Sequence, residues 1–194
     1  QERPKHLRIY GASDYAVTDA GGDYTVHIVI GIDPDDNIYV LELWRGQTTS
    51  DQWVQAVIDL MREHKPMMWV EGQGQIIKSI GPFLEERMRE ERVYCRREQV
   101  ASAADKPTRG RSIQARAAMG KVYLPEKAPW VNDFTAELLM FPAGKHDDQV
   151  DAFGLIGRML DELIKGSVPK PRDGQKPRDD YRSIKREEQS WRTL

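Results

Sequence analysis

The chain has 194 residues, of which 39% are hydrophobic and 31% are charged, and its formal net charge is -2. This length suffices for one domain with a substantial hydrophobic core. No segment approaches the roughly 20 apolar residues of a membrane-spanning helix, and the first residues lack the apolar segment of a signal peptide. The only cysteine, Cys95, cannot form a disulfide within the chain, which is typical of a protein from a reducing compartment.

The charge is distributed unevenly along the chain. Residues 165–194 contain nine Lys and Arg against five Asp and Glu, so this segment carries +4 and residues 1–164 carry -6. Because the segment also has three prolines and few apolar residues, we expect residues 165–194 to be a basic, disordered tail behind a domain at 1–164. An acidic domain that binds nucleic acid needs metal ions or a local basic strip.

Hydrophobic patterns and turn residues predict a series of strands and helices. In chain order we first expect a strand at 7–10, a hairpin of strands at 24–32 and 38–44, and a helix capped by Ser50 or Asp51. A strand at 66–70, a helix at 76–91 with a bend or restart at Pro82, and a strand at 93–95 follow. The last elements are a helix that ends at Met119, an edge segment at 121–125, a helix at 130–140 and a helix that opens with acidic residues. This order predicts an α/β domain in which helices flank a mixed central β-sheet.

Two carboxylates follow predicted strands directly. Asp14 comes after the first strand, and Glu71 comes after the strand at 66–70. Ligands of such sheets bind beyond the carboxyl ends of the strands, so both side chains are candidates for one site. A single Asp after a strand is more often an ordinary turn residue. Asp23 lies in the turn before the second strand and is a turn residue, or else a minor candidate for the same site.

Three aspartates crowd the start of the last helix. Asp151 lies three and four residues after Asp148 and Asp147, so the three carboxylates can share one helix face. A divalent cation would offset their repulsion, because hard cations prefer carboxylate oxygens. The alternative is helix capping, in which acidic residues stabilise the first turn. His146 is a candidate ligand or phosphate contact, or else a capping or surface residue.

Six segments in this order resemble the nuclease domain of the large terminase subunits of tailed bacteriophages, within the ribonuclease H-like superfamily. They are Gly11-Ala12-Ser13-Asp14-Tyr15-Ala16, Gly22-Asp23-Tyr24-Thr25, Val70-Glu71, Asp105-Lys106 with Arg109, Gly120-Lys121-Val122-Tyr123-Leu124-Pro125, and His146-Asp147-Asp148-Gln149-Val150-Asp151-Ala152. The resemblance covers residues 7–164. It implies a ribonuclease H-like fold with a mixed central sheet flanked by helices.

The resemblance also implies a function and partners. We expect a metal-dependent endonuclease that cuts concatemeric double-stranded viral DNA in the cytoplasm of the infected bacterial host, together with an ATPase domain, a small terminase subunit and the capsid portal, and without a membrane. The chain has no Gly-x-x-x-x-Gly-Lys-Ser/Thr phosphate loop, so we expect it to be the nuclease half of a large subunit, without ATPase activity.

Two-metal hydrolysis of a phosphodiester assigns roles to the carboxylates. Two Mg²⁺ or Mn²⁺ ions about 3.5–4 Å apart would activate water and stabilise the leaving oxygen. Asp14 is the candidate bridging ligand, with Glu71 on one ion and Asp148 on the other. Asp147 and Asp151 would be additional metal ligands or hydrogen-bond partners of the ligands. The rotation of the helix decides which of its aspartates touch metal.

A short basic strip could contact the DNA phosphates. It consists of Lys106, Arg109 and Arg111, which precede and enter the helix that ends at Met119. The alternative is a solvated helix face without a ligand. Two other functions also remain open: a Holliday-junction resolvase or recombinase of the same fold, and a non-catalytic docking domain that retains the residues of a former active site.

Overall fold

The computed structural model describes residues 4–16, 22–101 and 106–165. Within these ranges it contains six strands and five helices. They are β1 (Arg8–Asp14), β2 (Thr25–Ile32), β3 (Ile38–Gly46), α1 (Ser50–His64), β4 (Met68–Gly72), α2 (Gln75–Glu90), β5 (Arg96–Val100), α3 (Lys106–Ala118), β6 (Val122–Tyr123), α4 (Val131–Met140) and α5 (Asp148–Lys165). Along these described ranges, no helix is long and apolar enough to cross a membrane.

All six strands form one mixed sheet in the order β5-β4-β1-β2-β3-β6. The hairpin of β2 and β3 is antiparallel, and β2 also pairs antiparallel with β1. The neighbours β1, β4 and β5 run parallel to one another, so their carboxyl ends meet at one edge of the sheet. The predicted mixed α/β sheet and its early hairpin are confirmed.

The sheet separates two hydrophobic cores, because successive side chains of a strand point to opposite faces. On one face, Ala12 and Ile30 pack with Phe153 and Ile156 of α5. On the other face, the core includes Val29 and Trp69 of the sheet, Trp53 and Val57 of α1, and Leu84 of α2. The helix α5 therefore covers the face of β1 that carries its even-numbered residues.

In the sequence, apolar residues spaced by three or four predict a buried stripe on α1, which includes Trp53 and Val57, and one on α5 from Phe153 to Leu163. These stripes largely match the buried faces of the two helices. Trp53 and Val57 of α1 and Phe153 and Ile156 of α5 are buried. Leu163, the last member of the predicted α5 stripe, is 44% exposed. The packing of α5 against the sheet therefore weakens before the helix ends.

Several predicted elements differ from the structure. The first strand continues to Asp14 instead of ending at residue 10, and β4 covers Met68–Gly72 instead of 66–70, so Asp14 and Glu71 lie within strands and not after them. The strand expected at 93–95 lies instead at Arg96–Val100, where polar side chains occupy the edge of the sheet. The helix α2 continues through Pro82 without a restart. Proline removes one backbone donor and leaves the carbonyl of Lys78 without its helical hydrogen bond. Both residues are exposed, so water can bind this carbonyl.

The proposed boundary between domain and tail remains a prediction. The described part of the chain ends at Lys165, the last residue of α5, and residues 166–194 lie outside it. Of the polar loop expected at 101–108, residues 102–105 also lie outside the described residues, and residues 106–108 form the start of α3 instead.

Candidate metal centre

Asp14 is the last residue of β1, the strand between β4 and β2. By the alternation of the strand, its side chain points to the same face as Ala12, toward α5. Burial, followed by the charges of Asp151 and Asp148, raises the pKa of Asp14 from 3.8 to about 8. A carboxyl group in this environment needs a positive partner to be ionised near neutral pH.

Asp151 lines a small cleft together with Asp14, and the charges of Asp147 and Asp148 also act on Asp14. Asp148 and Asp151 lie in the first turn of α5, and Asp147 precedes it. Arg109 of α3 donates to Oδ2 of Asp151 and, at 3.4 Å, to Oδ2 of Asp147. The cleft has a volume of about 40 Å³, enough for a few waters or ions but too small for a nucleotide.

Close packing of α3 against α5 brings Arg109 to these carboxylates. A Cβ atom at Gly154 would lie 2.4 Å from the backbone oxygen of Arg109, which is closer than real contacts allow. Only glycine therefore fits at this helix crossing without a backbone shift. One turn further, a Cβ at Gly157 would approach the side chain of Ser112 at 3.0 Å.

We expect Gly154→Ala to destabilise the fold by about 1–3 kcal/mol, because the added methyl group pushes α3 away from α5. Gly81→Ala is the matched control: a Cβ there meets nothing within 4 Å, so the change should stay below about 1 kcal/mol. Urea denaturation of both variants measures the difference. Equal stability of the two variants would contradict this account of the helix crossing.

A second group of ligands surrounds Asp148. One ligand atom each from Asp23, His146 and Asp148 lies within 4.8 Å of the others. Burial, followed by the charges of Asp23 and Glu137, raises the pKa of Asp148, while the backbone N–H of Tyr24 and the charge of His146 lower it. Asp148 is only 5% exposed.

These residues fit a divalent cation. Oδ2 of Asp148 is buried without a hydrogen-bond partner, and so is Nδ1 of His146, 3.8 Å away. Buried polar atoms are normally satisfied, so two adjacent exceptions indicate a missing partner. Carboxylate oxygens with one imidazole nitrogen are suitable ligands for Mn²⁺ and related ions.

Glu71 lies on the opposite face of the sheet from Asp14. It pairs with Ser13 in the register of β1 and β4, and its side chain is fully buried. Arg97 binds its Oε2 at 2.8 Å, and the hydroxyl of Tyr15 donates to its Oε1 at 2.7 Å. The structure thus brings together Asp14, Asp147, Asp148 and Asp151 but not the side chain of Glu71.

The three predicted phosphate contacts have different surroundings. Arg109 is bound to two carboxylates, whereas Arg111 is exposed. Lys106 begins α3, and its side chain is not among those described. Of these three, Arg109 thus has a second possible role, as the positive charge that holds the aspartates of α5 together.

Comparison with known proteins identifies the family. The profile of the terminase RNaseH-like domain matches residues 11–159. This chain belongs to that family. Among the curated proteins, none matches the sequence. The terminase domain has a ribonuclease H-like fold, as the sequence predicted.

Solved structures with the same fold include viral nucleases. The large terminase nuclease from thermophilic phage G20c with bound zinc aligns over 79% of this chain and 81% of its own, with a TM-score of 0.56 and 20% identity. The large terminase from another thermophilic bacteriophage aligns over 81% of this chain and 40% of its own, with a TM-score of 0.57 and 12% identity. The Holliday junction resolvase of fowlpox virus aligns over 80% and 99%, with a TM-score of 0.50 and 11% identity.

Proposed function

We propose that this terminase domain is a metal-dependent endonuclease that cuts double-stranded DNA. The observation that carries the proposal is the convergence of Asp14 with Asp147, Asp148 and Asp151 at the carboxyl end of a central strand. The charges of the three aspartates of α5 raise the pKa of Asp14, and Arg109 offsets only part of this charge, so bound cations would stabilise the cluster. In a ribonuclease H-like fold, this arrangement supports phosphodiester hydrolysis.

The residues have distinct roles in this proposal. Asp14 would hold the cations from the sheet, and Asp148 would hold one of them from α5, with Asp23 and His146 beside it. Two divalent ions, Mg²⁺ or Mn²⁺, would supply an activated water and stabilise the leaving oxygen. Arg109 fixes Asp147 and Asp151 in position, and these two either bind metal or orient the ligands.

Glu71 keeps its proposed role as a ligand only if its side chain changes partner. Arg97 and Tyr15 occupy both of its oxygens. Gly72, the next residue, lines the cleft beside Asp14, so the backbone of Glu71 is already near the site. A rotation of the Glu71 side chain toward α5 would have to break its ion pair with Arg97.

The wider setting follows from the family. The second of the two large terminases, in which this chain corresponds to 41% of the length, has been solved in complex with ATP-γ-S. We propose that an ATPase domain accompanies this nuclease domain and that a small terminase subunit and the capsid portal are its partners. The site of action would be the cytoplasm of an infected bacterium, where concatemeric viral DNA is packaged.

Plasmid digestion tests the proposed function. We expect nicking and linearisation in Mn²⁺ or Mg²⁺, with little sequence preference, and no cleavage in EDTA. Ca²⁺ should bind without supporting turnover, because its looser coordination geometry places the attacking water poorly. Cleavage at the full rate in EDTA would contradict metal-dependent hydrolysis.

A second candidate function is junction resolution, favoured by the match to the fowlpox resolvase. A four-way junction and a linear duplex of equal length, digested side by side, distinguish the two functions. Preferential cleavage of the junction supports a resolvase, and equal cleavage supports a terminase nuclease. No cleavage of either substrate in any metal would instead support a docking domain without catalytic activity.

A further inference from the structure

A groove with a volume of about 540 Å³ lies between α3 and α5, next to the metal cleft. Four basic residues line it, namely Arg111, Arg116, Lys121 and Arg158. Arg158 also lines the small cleft that contains Asp14 and Asp151, so the groove and the cleft share this side chain. The groove therefore adjoins the cleft that contains the carboxylates.

The groove has an excess of positive charge. Its two acidic residues already have basic partners, since Asp36 pairs with Arg8 at 3.2 Å and Asp161 pairs with Arg116 at 3.1 Å. Among the residues that the structure describes, Arg111 and Arg158 have no acidic partner. The ammonium group of Lys121 donates to the backbone oxygen of Asp35, which carries no charge. Within the described part of the chain, three cationic side chains thus face the groove without a counter-ion.

We propose that this groove binds the sugar-phosphate backbone of the DNA strand that enters the metal centre, with Arg158 as the groove contact nearest to that centre. The proposal rests on the proposed nuclease function. Three uncompensated cations beside a carboxylate cluster suit an extended polyanion that carries one phosphate to the metals and further phosphates along α3. The cluster alone would repel such a substrate.

The spacing along α5 agrees with a DNA strand. Arg158 lies seven residues after Asp151, about 10 Å further along the helix axis. One strand of duplex DNA advances about 3.4 Å per nucleotide. If the strand follows α5, Arg158 contacts a phosphate about three nucleotides from the phosphate at the cleft. Arg111, which is exposed on α3, would bind further along the same strand.

Binding of a short fluorescein-labelled duplex in Ca²⁺ tests the groove independently of cleavage. The variants are Arg158→Gln and Arg111→Gln, and the matched control is Arg89→Gln, an exposed arginine of α2 on the other face of the sheet. We expect the Kd to rise about tenfold for Arg158→Gln, less for Arg111→Gln, and not measurably for the control. The slope of log K against log salt should decrease by about one for each lost contact.

Two further measurements exclude a purely structural effect. Arg158→Lys keeps the positive charge and should therefore retain most of the DNA affinity that Arg158→Gln loses. If Arg158 acted only through packing, lysine would not restore the affinity. The melting temperature of Arg158→Gln should match that of the wild-type chain, and its Ca²⁺ affinity should not fall, because Arg158 lines the cleft as a positive charge and is not a metal ligand. Arg111 is exposed, so its variant retains the test if Arg158→Gln fails to fold.

The proposal is wrong if Arg158→Gln and Arg111→Gln bind DNA as tightly as Arg89→Gln does. This failure is distinct from a failure of the nuclease function. If the wild-type chain cuts DNA in Mn²⁺ while both groove variants bind normally, only the groove proposal fails. If the wild-type chain binds DNA through the groove but never cuts it, the nuclease function fails and the groove proposal stands.

Discussion

Asp14→Asn and Asp148→Asn are each expected to lower metal-dependent DNA cleavage by about a thousandfold. Loss of a ligand removes several kcal/mol of transition-state stabilisation by the cations, and each 1.36 kcal/mol is about tenfold in rate. Asparagine keeps the size of the side chain, so the fold should persist. The rate of plasmid linearisation in Mn²⁺ measures the effect.

Asp59→Asn is the control for this prediction. Asp59 is exposed on α1, on the face of the sheet opposite α5, and its variant should cut at the wild-type rate. The account is contradicted if Asp14→Asn retains a tenth of the wild-type rate. If only Asp147→Asn or Asp151→Asn loses activity, the metal ligand on α5 is Asp147 or Asp151 and not Asp148.

Glu71 needs a different comparison, because its loss leaves Arg97 buried without its main partner, which costs about 3–5 kcal/mol. Arg97→Met frees Glu71 but retains its carboxylate. If Glu71 binds metal, Glu71→Gln should abolish cleavage while Arg97→Met retains it. If Glu71 only anchors Arg97, both variants should lose stability and neither should change the affinity for Mn²⁺.

The second large effect concerns stability in the absence of metal. The pKa of Asp14 rises from 3.8 to about 8 on folding. Its contribution to folding is therefore complete below about pH 4 and is lost as the pH rises toward 8, because ionisation is easier in the unfolded chain. The loss is on the order of a few kcal/mol. We expect metal-free Asp14→Asn to be more stable than wild type at pH 8 and equally stable at pH 4.

Urea denaturation in EDTA at several pH values measures this difference. With added Ca²⁺ at pH 8, the wild-type chain should instead be more stable than Asp14→Asn. Bound Ca²⁺ stabilises the wild-type chain, whereas the variant lacks one of the carboxylate ligands for this ion. If the stability difference between Asp14→Asn and the wild-type chain is the same at pH 4 and pH 8, the raised pKa of Asp14 in the folded chain is contradicted.

Sequence patterns predicted most of the fold because the hydrophobic cores leave a periodic signal. Trp53 and Val57 mark the buried face of α1, and Phe153 and Ile156 mark that of α5. The strand β5 was predicted three residues too early, because Val93 is buried while the strand itself is polar. An edge strand makes few packing contacts, so its hydrophobic pattern is weak.

The candidate site was predictable in part. Asp14 and the aspartates of α5 stand at strand and helix ends, where sequence patterns are informative. The face of Glu71 could not be predicted, because Met68-Trp69-Val70 is apolar throughout and lacks the alternation that separates the two faces of a strand. The close contact at Gly154 could have been predicted, since a glycine within an apolar helix pattern often marks a place where another backbone packs closely.

Arg109 shows what sequence alone could not supply. It was predicted to contact DNA phosphates, and the structure places it against Asp147 and Asp151, about forty residues away along the chain. Sequence periodicity predicts contacts only between residues three or four apart on the same helix. A contact between side chains of two different helices therefore leaves no periodic pattern in the sequence. Asp23 and His146 were minor candidates, and the structure places both beside Asp148. Periodicity could not predict the contact between Asp23 and Asp148 either, because the two residues are far apart in the sequence.

Anomalous diffraction from crystals soaked in Mn²⁺ tests the central claim most directly. The account predicts anomalous density within bonding distance of carboxylate oxygens of Asp14 and Asp148, on the side of β1 that faces α5. The absence of density there at millimolar Mn²⁺, or density bound only by carboxylates outside this cluster, would contradict a metal centre at this edge of the sheet.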